Sequence, residues 1–174
     1  TYRYVETREA FDQAIQEFSR SSYCYLHLSS HGSPTHFIFH FGWMSFMEFE
    51  TIVRDKLNNK RLFVSACEAV NENLANRVIP SSNVYSIIGS YEPINFDDAA
   101  IIWSSYYYLA FKHLKNGKVM DRKLVLRTLQ QLTSLYGLNF NYFSRSRKYG
   151  VKLTQFNLGK RTEHRSVYPR NHEK

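Results

Sequence analysis

The chain has 174 residues, of which 43% are apolar and 16% aromatic, and a formal net charge of +8. That length suits one domain with a sizeable core, the apolar share excludes intrinsic disorder, and two cysteines are too few for a disulfide-stapled mini-domain or a four-cysteine zinc site. The charge is uneven: residues 145–174 hold nine Lys and Arg against two Glu, whereas residues 1–144 hold fourteen against thirteen acids, so the basic balance belongs to the C-terminal segment.

The chain begins Thr1-Tyr2-Arg3-Tyr4, with no initiator Met, which reads as an excised or processed fragment, and with no signal-peptide h-region. A reducing cytoplasm is the expected compartment. Residues 6–19 place Ala10, Phe11, Ala14, Ile15 and Phe18 at helical spacing. Residues 23–28 form a short apolar run bounded by serines and read as a buried strand that includes Cys24. The aromatic-rich stretch 35–44, broken at Gly42, predicts a small hairpin. Ser45-Phe46-Met47-Glu48 has the form of a capping box and predicts a helix to about Leu57. A second buried strand is expected over 61–66, a short helix over 72–79 ended by Pro80, and a third buried strand over 84–89.

Asp97 and Asp98 suit the positive end of a long helix running to about Gly117. Its run 99–111 is apolar nearly all round, which predicts cover by another element. Ser104 and Ser105 interrupt it, and it is too short to span a bilayer, so no membrane partner is expected. Residues 121–135 predict an amphipathic helix stopped at Gly137, and 140–143 and 151–156 predict edge strands. Strands alternating with helices argue for an α/β sandwich with a largely parallel central sheet flanked by helices. Two parts are expected, a domain over 1–144 and a basic segment over 145–174 with an edge strand and then a flexible tail.

Two strand ends carry the chemistry. One strand runs out through Leu26-His27-Leu28-Ser29-Ser30 into His31-Gly32, and another delivers Cys67 after Leu62-Phe63-Val64-Ser65-Ala66. In parallel sheets, sites form beyond the carboxyl ends of strands. If these strands are neighbours, an imidazole and a thiol meet, which is the minimum for cysteine nucleophilic catalysis. The backbone N–H groups of Gly32 and Cys67 are the available oxyanion donors. A glycine at 32 lets a substrate approach the backbone closely.

These residues resemble the caspase-like cysteine peptidases, and among them the bacterial CHAT-type branch. The shared pattern is a strand ending in His-Gly, a short hairpin, a helix, and an apolar strand ending in Ser65-Ala66-Cys67-Glu68. It continues with the strand Ser86-Ile87-Ile88-Gly89-Ser90, Pro93 and a helix start at Asp97-Asp98-Ala99, so it covers residues 20–115. The caspase Gln-Ala-Cys-x-Gly signature is absent. The resemblance implies a caspase-like three-layer sandwich and a thiol protease, a hydrolase of protein substrates. Cys67 would be its nucleophile and His31 its general acid/base, with no metal or other cofactor. The loop from Tyr91 to Asp97 is expected to bind the residue before the scissile bond. Glu92, Asp97 and Asp98 suit an acidic pocket for Arg or Lys, while Tyr91 and Phe96 suit an apolar one. The resemblance further implies a regulated effector attached to a sensor domain or subunit, in some relatives in antiviral defence.

Other classes fit parts of the sequence. Cys24, His27, His31, His36 and His40 lie close together, but strand alternation scatters them, which argues against a metal site. His27, His36, His40 and His113 read as core or surface residues. Arg145, Arg147 and Lys148 beside Tyr142, Phe143 and Tyr149 suit nucleic-acid binding through the basic segment. The same fold with an unassembled dyad would be a catalytically silent interaction module.

Overall fold

The structure is a computed structural model that describes residues 2–112, 121–148, 150–158 and 160–165. Helix α1 (Arg8–Arg20) starts where the Thr7 hydroxyl accepts from the Ala10 amide, and it buries Phe11 and Ile15. Strand β1 (Tyr25–Ser29) leads directly into β2 (His31–Gly32), which forms a small antiparallel sheet with β3 (His36–Phe39) and β4 (Gly42–Ser45). Ser45 and Glu48 close a complete capping box, and α2 (Phe46–Val53) follows. The helix stops at Val53 rather than near Leu57, although Leu57 remains fully buried.

Strand β5 (Arg61–Ser65) precedes α3 (Glu72–Ser82) and β6 (Ser86–Ser90). Pro80 does not end α3, contrary to expectation. It sits in the last turn, where the Ser81 and Ser82 hydroxyls bond back to the carbonyls of Arg77 and Val78, and Asn83 closes the helix in the left-handed region. Helix α4 (Phe96–Lys112), α5 (Arg122–Tyr136) and the strands β7 (Phe140–Ser146), β8 (Gly150–Asn157) and β9 (Lys160–Arg165) complete the chain. Asp121 caps α5, and Gly137, at φ +69°, terminates it as its spacing predicted. The expected end of α4 at Gly117 lies outside the described residues, as does His113.

The central sheet has the order β1-β5-β6-β7-β8-β9. β1, β5 and β6 are parallel, and β7, β8 and β9 are joined antiparallel, so four of the six strands point the same way. The sequence-based reading of 140–143 and 151–156 as edge strands needs correction: β7 and β8 are interior, and the edges are β1 and β9. The basic segment supplies more of the sheet than the one edge strand expected of it: β7 runs on to Ser146, and β8 and the edge strand β9 carry the sheet to Arg165. Residues 166–174 lie outside the described residues.

Side-chain alternation along β5 and β6 divides the core. Leu62, Val64 and Ile87 pack with α1, α2 and α3, whereas Phe63 and Ile88 pack with α4 and α5. The α4 helix is covered less than its composition suggested. Ile102, Trp103 and Tyr106 are buried, but Phe96, Ile101, Tyr108 and Phe111 are exposed, because α5 covers one side only. Cys24 lies just before β1 and is half-buried rather than in the core. Among the described residues, no helix is long and apolar enough to cross a membrane.

Candidate active site

The two strand ends are neighbours. β1 and β5 pair in parallel register with Ser29 opposite Ser65, and the Ser30 amide extends the ladder to the Ser65 carbonyl at 3.1 Å. The chain then leaves the central sheet and continues as β2, which carries His31 and Gly32 past the end of β5. Ser33 N donates to His36 O at 3.0 Å, so antiparallel alternation turns the backbone N–H and C=O of Gly32 away from β3.

That backbone lies against Cys67. A Cβ on Gly32 would stand 2.6 Å from the Cys67 carbonyl oxygen, 2.9 Å from Ala66 Cβ and 3.1 Å from Cys67 N. The expectation was that Gly32 leaves room for a substrate. The structure gives another reason: the chain's own backbone at Ala66–Cys67 fills the space a side chain would need.

After Cys67 the chain turns sharply. Glu68 has φ +56°, an unusual value for a residue with a side chain, which swings the backbone away and leaves Cys67 at the apex. Asn71 holds this turn. Its Nδ2 donates to the Glu68 carbonyl at 2.8 Å and to the Pro34 carbonyl at 2.9 Å, while its Oδ1 accepts from the Leu74 amide as the N-cap of α3. One side chain thus ties the loop after His31-Gly32 to the loop after Cys67. Sequence reading missed Asn71, although an Asn just before the Glu72 helix start is an N-cap signal.

The Cys67 thiol is half-buried. Sγ donates to the Ile94 carbonyl and accepts from the Ile94 amide, both at 3.5 Å. His31 is exposed, and among the described residues its ring makes no hydrogen bond. The β6–α4 loop therefore sits on the thiol, and sequence reading gave Ile94 no role.

The expected pocket residues divide into two groups. Tyr91 donates from its hydroxyl to Asn157 Oδ1 at 2.5 Å, and Asn139 Nδ2 donates to Glu92 Oε1 at 2.7 Å, so both side chains anchor the loop to the strands beside it. Burial, and then the adjacent Glu92 charge, raise the Tyr91 phenol. Asp97 and Asp98 stand exposed in the first turn of α4, Asp98 within 3.4 Å of Asn95 Nδ2, and Phe96 is 80% exposed beside them.

The other histidines are dispersed. His27 is largely buried under α4, with Nδ1 2.6 Å from the Tyr107 hydroxyl, and burial holds its pKa down at about 4. His36 packs on Trp43, and His40 is exposed. Among the described residues, no group of three or more His, Cys, Asp or Glu is placed to hold a metal ion. Compared with known proteins, the chain matches no protein-family model and no curated protein sequence.

Proposed function

We propose that the chain is a cysteine endopeptidase of caspase-like fold, related to the CHAT-type branch. What carries the reading is the register of β1 on β5, together with the backbone contact between Gly32 and Cys67. In the proposed cycle His31 takes the Cys67 thiol proton and the thiolate attacks the scissile carbonyl. The Gly32 and Cys67 amides stabilise the oxyanion. The C–N bond breaks as His31 protonates the leaving amine, and water then hydrolyses the thioester and restores the thiol.

The proposal extends to regulation. The Ile94 backbone occupies both hydrogen-bonding positions of Sγ, so the β6–α4 loop must step back before a substrate carbonyl can enter. A sensor domain or subunit that draws this loop away would make the chain a switched effector, and a role in cellular defence follows from the resemblance. The substrate pocket falls between Phe96, Asp97 and Asp98, the members of the expected set that the loop leaves exposed. The test is proteolysis of peptide libraries by the wild type and by Cys67→Ala and His31→Ala. The reading requires cleavage that both substitutions abolish, and cleavage surviving Cys67→Ala refutes it.

The second reading is a catalytically silent interaction module of the same fold. The observation favouring it is the same pair of Sγ···Ile94 contacts, with the His31 ring unengaged. Iodoacetamide labelling decides between the two. Cys67 reacting no faster than Cys24, even with candidate activators present, supports the silent module.

A further inference from the structure

The two edges of the central sheet differ in kind. β9 reads Lys160-Arg161-Thr162-Glu163-His164-Arg165, and charge of this density is what keeps an edge strand from pairing. β1 reads Tyr25-Leu26-His27-Leu28-Ser29, with no charge and no proline. Its inner side is fixed by the ladder to β5. The Arg61 amide donates to the Cys24 carbonyl at 2.8 Å and the Ser30 amide to the Ser65 carbonyl at 3.1 Å, so the even-numbered residues of β1 bond inward. The backbone N–H and C=O of Tyr25, His27 and Ser29 therefore point outward, and among the described residues no strand pairs with β1 on that side. An edge of this composition is a template for another strand.

Helix α4 decides which strand. It lies over β1, with the His27 ring 5.0 Å from Trp103 and 5.7 Å from Tyr107, and with Phe111 6.3 Å from Tyr25. Helical periodicity sets Ala100 and Ser104, both exposed, on the same flank as Tyr107 and Phe111. Asp97 stands at one end of this stripe and Lys112 at the other, and among the described residues neither forms an ion pair.

Both elements are centred at one level. The middle of β1 is His27 and the middle of α4 is Ser104, which lies between Trp103 and Tyr107, the two α4 residues packed on His27. A single two-fold axis at that level, normal to the sheet, serves both. Antiparallel pairing of β1 with its copy sets His27 opposite the partner's His27 and Tyr25 opposite the partner's Ser29, with about six backbone bonds in all. The same axis runs α4 antiparallel to its copy. α4 bridges β1 and β5, since Phe63 also packs on Trp103 and Tyr106. Two helices so related lie about two strand spacings apart, ~10 Å, which is a helix-packing distance. Ser104 then faces the partner's Ser104, and Asp97 comes beside the partner's Lys112, so opposite charges meet at both ends of the seam.

We propose that a second copy of this chain docks on the β1 edge, joining the two sheets across His27 and packing α4 against α4. The contact is isologous, the interface type of the commonest oligomers. It does not use Cys67, and it reaches the proposed substrate pocket only at Asp97.

Sedimentation equilibrium of the full chain tests it. A monomer–dimer equilibrium with a Kd in the micromolar range or below is expected. Ser104→Glu sets like charges face to face at the axis and should weaken the dimer about 100-fold. Ser134→Glu, on the exposed side of α5, should leave it within about twofold. Lys112→Asp should weaken it about fivefold, and Asp97→Lys combined with Lys112→Asp should restore the wild-type affinity. Hydrogen exchange reads the strand pairing. The His27 and Ser29 amides should exchange more slowly as the wild-type concentration passes the Kd, and should not do so in Ser104→Glu. If Ser104→Glu does not fold, the charge exchange between positions 97 and 112 carries the comparison. A chain still monomeric at about 500 µM overturns the proposal and leaves β1 to a strand of another polypeptide. A dimer indifferent to Ser104→Glu, or one that forms without slowing the β1 amides, overturns it as well.

Discussion

Replacing Gly32 by Ala tests the contact on which the proposed site rests. The added methyl would begin 2.6 Å from the Cys67 carbonyl oxygen and 2.9 Å from Ala66 Cβ. Ordinary contact begins at 3.4 Å, so about 0.8 Å must open between β2 and the end of β5. The neighbours are backbone and a Cβ, not the end of a flexible side chain, so the strain cannot be shed by a rotamer change. Overpacking of this kind costs about 1–3 kcal/mol. In a chain of this size that lowers the melting temperature by about 2–12 °C. The same displacement moves His31 and the Gly32 amide relative to Sγ, and a shift of this size at a reacting centre costs about 100-fold in rate. Scanning calorimetry reads the first effect. The second is read by comparing two alkylations of Cys67, one by a peptidyl ketone that uses the oxyanion donors and one by iodoacetamide, which does not. The ketone rate should fall far more than the iodoacetamide rate. A Gly32→Ala variant that melts within about 1 °C of the wild type and keeps the ratio of the two rates refutes the reasoning.

Three further outcomes are expected. Asn71→Asp keeps a good N-cap but replaces the donor facing Pro34 and Glu68 with an acceptor, so peptidase turnover should fall by more than the thermal stability does, as steady-state rates and melts will show. Glu68→Gly relieves a left-handed backbone and should stabilise the chain by up to about 1 kcal/mol in urea unfolding. Burial holds the His27 pKa at about 4, below the ordinary 6.5. The unfolded chain therefore binds the extra proton first, and the stabilisation, complete above about pH 6.5, is lost as the pH falls toward 4, amounting to roughly 3 kcal/mol. Unfolding free energies measured from pH 7 to pH 4 should fall less steeply in His27→Gln than in the wild type.

Much of the fold was legible because local signals agreed with tertiary packing. The Ser45–Glu48 box, the apolar runs of β5 and β6, and the Asp121 and Gly137 ends of α5 are short-range patterns, and each stands where its chemistry put it. The placement of His31 and Cys67 at strand ends was legible for the same reason, whereas the pairing of those strands was only a condition of the reading until the register of β1 on β5 met it. Contacts made by a loop with a distant residue were not. Nothing in Pro93-Ile94-Asn95 indicates that its backbone bonds to a thiol 27 residues earlier. A two-residue strand such as β2 is too short to show a period, and Pro80 misled because in the last turn a proline removes a single backbone bond, which does not stop α3 from running two residues further to Ser82.

The two tryptophans occupy opposite situations, and this gives the chain a built-in pair of optical reporters. Trp43 is exposed on β4 beside His36, in the small sheet that carries His31, whereas Trp103 is buried edge-on to His27 at 5.0 Å. The first should emit at long wavelength and respond to movement of the small sheet. The second should emit at shorter wavelength and be quenched when the imidazole beside it gains a proton. Movement of the small sheet and loosening of the α4 layer are therefore separable by colour in a single unlabelled sample.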